Sequence, residues 1–486
     1  MLFNSYDFIL NFLPIAFVLY YAFNFFWTRK ATNILIIAVS LYFYAFPNRL
    51  DLILIISSIF LNYSLTWLFS KYQNKKKLFL VVGIFINLSV LFFYKYINFI
   101  IEIINSFLGD SKLSNITTHL PLAISFFTFQ QISFIVDQYK AEKKSEVKFD
   151  QYAAAVLFFP HLIAGPLVEY KKLIPQLINK VRKNRFWANV YLGIFVFIIG
   201  LSKKLIIADC LNPLVETVFS PQADIISLSY LVTLVGVVAY TFQLYFDFSS
   251  YSDMAVGLGL MFGVVLPANF NSPYKATSII DFWRRWHISL SNFLRDYLFI
   301  PLGGSRVGEL MRFRNLFLTM LIGGIWHGAG WNFIIWGAWH GSLLCAVHLF
   351  RKFSFSKSRW LFQTKSFNRA LTFIMVMIGW VFFRAHDLSS SIAIIRKIMS
   401  FELVGWVGQF IELAAQQKYR CFVLLFAILV AFLMPNSNQM HRYFKLMVFR
   451  RKLISIQIAV CLVMAILLNI CFILMSSPMS FLYYQF

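Results

Sequence analysis

Residues 453–475 read LISIQIAVCLVMAILLNICFILM, directly after the basic triplet Arg450-Arg451-Lys452. No charged side chain falls within these 23 positions. As a helix rising about 1.5 Å per residue they extend about 34 Å, enough to cross a hydrocarbon layer about 30 Å thick. The run is apolar on every side, so a helix made of it has no face to turn towards water. Lipid is the solvent that suits it, and there a helix satisfies each backbone N–H and C=O within the segment. The triplet marks its cytoplasmic end, because Lys and Arg are retained on that side.

The same alternation of apolar run and short basic cluster recurs towards the N-terminus. Spanning segments are expected at Asp7 to Trp27, Thr32 to Phe46, Leu50 to Ser70, Leu78 to Tyr94, Asn189 to Ala208 and Ser227 to Phe246. Others are expected at Met254 to Leu266, Leu316 to Trp326, Phe333 to Leu349, Ala370 to Phe383 and Cys421 to Met434. With 59% of the residues hydrophobic and 13% charged, a water-soluble fold of this size lacks the polar surface to cover itself. The expected fold class is all-α, a polytopic membrane helix bundle, with residues 1–486 as a single membrane-embedded domain.

Leu120 to Gln138 and Tyr152 to Pro166 carry internal Pro, His, Gln and Ser, which points to re-entrant or broken helices buried by neighbours. Basic clusters at Arg29 and Lys30, at Lys71 with Lys75 to Lys77, and from Lys171 to Arg185 place those loops in the cytoplasm and the N-terminus outside. The last helix then runs outward and leaves Phe481 to Phe486 at the external face. Lys203 and Lys204 interrupt an apolar stretch, where they snorkel or line a polar recess. No cleavable signal is expected, since the first apolar segment lacks a basic leader and a small-residue cleavage site.

The net charge of +24 is explained by the cytoplasmic loops, so no nucleic-acid partner is expected. Five cysteines without a CxxC pair give neither a metal site nor a disulfide framework. No internal repeat is apparent, which weighs against a secondary transporter.

Three polar clusters stand out from the apolar background. In Gly323-Gly324-Ile325-Trp326-His327-Gly328-Ala329-Gly330-Trp331-Asn332, glycines on both sides of His327 let the helix loosen and a substrate approach, and two tryptophans supply flat apolar walls. A polar ring within a membrane marks a functional site by default, although a packed, hydrogen-bonded histidine at a tight helix crossing fits the same residues. In Asp281 to Tyr297, Trp283, Trp286, Leu290, Phe293, Leu294 and Tyr297 share one helical arc, Arg284, Arg285, Asn292, Arg295 and Asp296 the other, and His287 lies on the border. That is an amphipathic helix at the cytoplasmic interface, whose arginines suit the phosphates of an acyl-coenzyme A. In Gln243 to Asp253, Asp247 and Asp253 require partners, with Arg284, Arg285 and the histidines as the obvious ones. Gln130, Gln131, Asp137, His161 and Glu169 line a cavity or satisfy broken helix ends; His119, His348, His386 and His441 take no role. The final run FLYYQF, residues 481–486, reads as an interfacial aromatic belt.

At these residues the chain resembles a known family. YFDFSSYSDMAVGLGLMFG, FWRRWHISLSNFLRDYLFIPLGG, RNLFLTMLIGGIWHGAGWN, IIWGAWHG, MLFNSYDFILNFLPI and FFPHLIAGPLVEY strongly resemble the alginate O-acetylation branch of the bacterial membrane-bound O-acyltransferases. The resemblance implies about eleven membrane helices with re-entrant segments around a tunnel, in a multi-pass protein of the bacterial inner membrane. It implies that His327, in WHG, is the catalytic residue and that His287, in WRRWH, lies towards the cytoplasmic opening and is needed as well. FLYYQF resembles a C-terminal aromatic motif whose tyrosine carries the acyl group, by position Tyr483, with Tyr484 standing where a phenylalanine is expected.

The implied donor is acetyl-coenzyme A, with no permanently bound cofactor, held by Arg284, Arg285, Arg295, Trp326 and Asn332. The implied acceptor is an extracytoplasmic polysaccharide such as an alginate-like exopolysaccharide, reached through a partner protein outside the membrane. Neutral His327 acts as general base when the hydroxyl attacks the thioester. Peptidoglycan or another glycan, and teichoic acid D-alanylation from a carrier protein, are alternative acceptor chemistries, and a transporter is the alternative of another class.

Overall fold

The computed structural model describes residues 1–486 except 110–112, 118, 142–146, 182, 354–363, 403–404, 450–453, 476–478, 480 and 483–486. Among the described residues there is no strand. Helix boundaries follow from local chemistry. Asp7–Phe12 is a π-helical turn running into α1, Leu13–Phe26, and α2, Arg29–Ala45, opens where the Thr28 hydroxyl accepts the Ala31 N–H. Then follow α3, Asp51–Lys71; α4, Lys76–Leu108; α5, Ile124–Lys140; α6, Phe149–Leu157; α7, Phe159–Leu162; and α8, Tyr170–Ile178. After α9, Phe186–Ser202, a π-helical stretch Lys203–Ala208 leads into α10, Asp209–Phe219, and α11 is the long helix Tyr230–Met261. The second half comprises α12, Ile279–Trp283; α13, Ile288–Leu294; α14, Glu309–His327; α15, Trp331–Phe353; α16, Lys365–Arg384; and α17, Leu388–Met399. The last four are α18, Trp406–Gln416; α19, Lys418–Leu433; α20, Ser437–Phe449; and α21, Ile454–Leu474.

Among the described residues eight helical segments are long and apolar enough to cross a membrane: Asp7–Phe26, Asp51–Lys71, Gln73–Leu108, Lys183–Phe219, Tyr230–Met261, Trp331–Lys352, Lys365–Arg384 and Gln457–Leu474. The count rises to nine if α18 and α19, bent by 104°, form one broken span. The protein is therefore a multi-pass membrane protein with an all-α fold. Among the described residues α2, with 17 residues, and α14, which opens with Glu309, Arg312 and Arg314, are not among these eight, so the expected count of about eleven is not confirmed.

Other boundaries also differ from expectation. Ser227 to Phe246 and Met254 to Leu266 are not separate spans: α11 runs through the polar residues between them without a break. A helix tolerates this because the Asp247 carboxylate is neutralised from a neighbouring element. Within Leu120 to Gln138, α5 is continuous from Ile124 onward and buried by its neighbours as expected; Gln130 donates to His161 Nδ1 at 3.0 Å and Gln131 accepts the Tyr152 hydroxyl. Tyr152 to Pro166 is broken as expected, at Phe158 between α6 and α7. His161 satisfies the freed end through Nε2, 3.0 Å from the Ala155 carbonyl.

The chain groups into two compact units. One contains Met1–Ile198, Tyr251–Pro267 and Met447–Ile454; its core is an aromatic cluster in which Phe3 stacks on Tyr251 at 4.7 Å and Phe12 meets Phe159 edge-on at 5.3 Å. The other contains Ile199–Ser250, Ala268–Leu446 and Ser455–Phe486 and holds His287, His327 and His340.

Candidate active site

The site begins with two backbones in contact. Carbon atoms added at Gly324 would lie 2.3 Å from the Phe333 carbonyl oxygen and 2.9 Å from Gly337 Cα, and one added at Gly337 would lie 2.6 Å from the Met320 oxygen. Only glycine permits this approach of α14 and α15. The helix ends at His327 because Gly328 turns extended, and α15 restarts at Trp331. His327 is buried, with ring centroids of Trp326 at 4.8 Å, Trp336 at 4.9 Å and Phe383 at 5.2 Å. Asn332 is tied by its amide N–H to the Ala385 carbonyl at 2.7 Å, which joins the start of α15 to the end of α16. Of the residues expected beside it, Trp326 packs against the imidazole, whereas Asn332 is engaged with the end of α16.

His287 is placed by a turn, which corrects the single amphipathic helix expected over Asp281 to Tyr297. That helix is broken after α12, and His287 adopts φ 42°, a left-handed conformation uncommon away from glycine. The physical cause is the segment 269–271, which binds the turn on both edges: Ile288 N–H donates to the Asn269 carbonyl and Asn271 N–H to the Arg285 carbonyl, each at 2.9 Å. Asn436 and Asn438, at the start of α20, hold that segment through Asn271, Ser272 and the Phe270 carbonyl.

The tautomer follows from the same contacts. Asn269 Oδ1 accepts the Ser289 N–H and hydroxyl, so it is an oxygen, and His287 Nδ1, 3.2 Å away, must be the donor. Nε2 is then the basic nitrogen. Burial holds the imidazole well below its ordinary range, at about 3, so it is neutral.

Two of the three arginines expected to meet phosphates are engaged within their own segment. Arg285 Nε binds Asp281 at 2.8 Å, and Arg295 grips both oxygens of Asp296 at 2.7 and 2.9 Å. Arg284 is exposed.

The partner of Asp247 is not Arg284, Arg285 or a histidine. Lys204 Nζ lies 2.6 Å from Asp247 Oδ1 and 2.8 Å from Asp209 Oδ1, and Lys204 and Asp247 are both buried. The π-helical stretch carries Lys204 inward, while Lys203 reaches Ser437. Phe481 and Leu482 do not form a surface belt; both are buried. Tyr483 lies outside the described residues.

The family model of the membrane-bound O-acyltransferases matches residues 39–385, a stretch that contains both α14 with His327 and the His287 turn. The chain belongs to the membrane-bound O-acyltransferase family. It is 36% identical to a peptidoglycan O-acetyltransferase of Helicobacter pylori, over 100% of this chain and 98% of that protein. It is 41% identical to a probable alginate O-acetylase AlgI of Pseudomonas syringae, over 80% of this chain and 73% of that protein. It is 30% identical to a teichoic acid D-alanyltransferase of Bacillus subtilis, over 54% of this chain and 66% of that protein. As a membrane-bound O-acyltransferase the protein is an acyltransferase enzyme.

In this acyltransferase one polar ring that shares Trp336 with His327 carries no expectation from sequence. His340 lies one helical turn beyond Trp336 on α15, with its imidazole 4.9 Å from that indole and 5.2 Å from Trp283. It is fully buried, and among the described residues neither of its nitrogens nor the Trp336 N–H has a hydrogen-bond partner. Buried polar groups are rarely left so, and Trp336, which carries one of the three, packs against both His327 and His340. The sequence signal was IIWGAWHG itself, where His340 sits in an apolar run without a neighbouring polar residue to draw attention to it.

Proposed function

We propose that the enzyme takes an acetyl group from cytoplasmic acetyl-coenzyme A and delivers it across the bacterial inner membrane for O-acetylation of an extracytoplasmic polysaccharide. The observation that carries this reading is His327, buried among Trp326, Trp336 and Phe383 at the break between two helices whose backbones touch. Neutral imidazole takes the proton of the acceptor hydroxyl while its oxygen attacks the thioester carbonyl. The carbon–sulfur bond then breaks, and the imidazolium returns the proton to the departing thiolate. Such a base contributes roughly 10²- to 10⁴-fold to the rate. Exclusion of water by the aromatic wall protects the thioester from hydrolysis.

Arg284 is the cation most available to a coenzyme phosphate, and Arg285 and Arg295 reach one only by exchanging their carboxylate partners. His287, with Nδ1 committed to Asn269, offers Nε2 as a second basic nitrogen. Tyr483 is the proposed first acceptor, from which an extracytoplasmic partner protein moves the acetyl group to the polymer. An alginate-like exopolysaccharide is supported by the relatives at about 40% identity, and peptidoglycan by the relative that matches the chain from end to end. Thiol release from acetyl-coenzyme A by purified protein, abolished in His327→Ala, tests the chemistry, and a transporter would release none. Mass analysis of surface glycans with and without the protein separates the acceptors.

A further inference from the structure

We infer that Lys204, Asp209 and Asp247 form a dock for the chain's own C-terminal tail, with Asp247 as the residue that positions it. Lys204 supplies one positive charge to two carboxylates, 2.6 and 2.8 Å from its ammonium nitrogen. The lysine thus shares its charge between two carboxylates, and a buried carboxylate oxygen without a donor is costly. Asp247 Oδ1 faces the lysine. Its other oxygen, Oδ2, accepts the backbone N–H of Leu482 at 3.0 Å. A peptide N–H donated to a carboxylate is a strong, directional contact, and it reads the main chain rather than a side chain.

The flanking residues agree with a built site. Phe481 is 2% exposed and packs 5.6 Å from Phe248, whose other contacts include the His287 ring at 4.7 Å. Phe248 follows Asp247 on α11, so one helical step supplies both the acceptor for the tail's backbone and the aromatic floor for its side chain. An aromatic belt at a membrane boundary would do neither. The dock is independent of the proposed reaction; its consequence for transfer rests on that reading, because Tyr483 follows Leu482 in the chain.

The test is hydrogen exchange of the tail peptide 479–486 in the full-length protein in detergent. Leu482→Pro deletes the donated N–H and leaves the triad untouched. Asp247→Leu deletes the acceptor while leaving Lys204 paired with Asp209. Leu482→Met keeps both the N–H and nearly the volume. Exchange at least about tenfold faster in the first two, and near the wild-type rate in the third, is the expected result; wild-type exchange in both Leu482→Pro and Asp247→Leu overturns the dock. Polymer acetylation in the same variants is expected to fall at least tenfold for Leu482→Pro and to persist for Leu482→Met. Fast exchange with undiminished acetylation keeps the dock and overturns its positioning role in transfer.

Discussion

His327 and His340 both press edge-on against the indole of Trp336, each imidazole centroid 4.9 Å from it. The second of these histidines is an expense to the fold: an unsatisfied buried polar atom costs about 1–3 kcal/mol, and neither nitrogen of His340 has a hydrogen-bond partner among the described residues. His340→Phe keeps a ring of similar shape and removes both. The melting temperature of the variant in detergent is expected to equal or exceed that of the wild type, while thiol release from acetyl-coenzyme A falls about tenfold, the size of one lost hydrogen bond to the bound substrate. Unchanged turnover in a stable variant would show that His340 is only packing.

His327→Ala is expected to fold and to lose about 10²- to 10⁴-fold in turnover, the usual contribution of a positioned base. The deletion leaves space shaped like an imidazole between Trp326, Trp336 and Phe383. Added imidazole is therefore expected to restore part of the rate, with a dependence on its concentration that saturates. Rescue distinguishes lost chemistry from a collapsed site, which no small base repairs.

The glycines around His327 look alike in sequence and differ in space. Gly324→Ala would drive a carbon to 2.3 Å from the Phe333 carbonyl, whereas at Gly330 the nearest atom is Phe333 Cδ2 at 3.7 Å, an ordinary contact. Overpacking of a tight interface typically costs about 1–3 kcal/mol. Gly324→Ala is expected to lower the melting temperature and the turnover together, because α14 carries His327. Gly330→Ala is expected to change neither, and thermal melting with a thiol-release assay reads both.

That contrast marks the boundary of what the sequence made legible. Apolar runs such as Leu453 to Met475 identify membrane helices directly, since their composition meets only one solvent. The WHG histidine stands out for the same reason, as a polar ring between glycines in an apolar run. Helical periodicity fails where a tertiary contact overrides it. The turn at Arg284 to His287 breaks an amphipathic pattern because the Asn269 carbonyl accepts the Ile288 N–H and its side chain meets His287 from 18 positions away. The pairing of Lys204 with Asp247 spans 43 positions and depends on a π-helical register that composition does not announce. His340 was invisible because its partners are aromatic neighbours contributed by three helices.

The buried His287 makes the fold sensitive to acid in a calculable direction. Burial lowers its imidazole from the usual 6.5 to about 3. In the unfolded chain the ring returns to roughly 6.5. Between these values the unfolded state binds the proton and the folded state does not, so stability rises with pH across this window and is lost as pH falls from about 6.5 towards 3. Above the window both states are neutral and the group contributes no pH dependence. His287→Asn isolates this contribution, because asparagine accepts the left-handed backbone at φ 42° and its amide N–H replaces Nδ1–H towards Asn269. Between pH 7.5 and pH 5 the melting temperature of the variant is expected to fall less steeply than that of the wild type, and above pH 7 the two slopes are expected to coincide. Parallel slopes across the acid range would mean that the imidazole reaches water in the folded protein and is protonated there as it is in the unfolded chain.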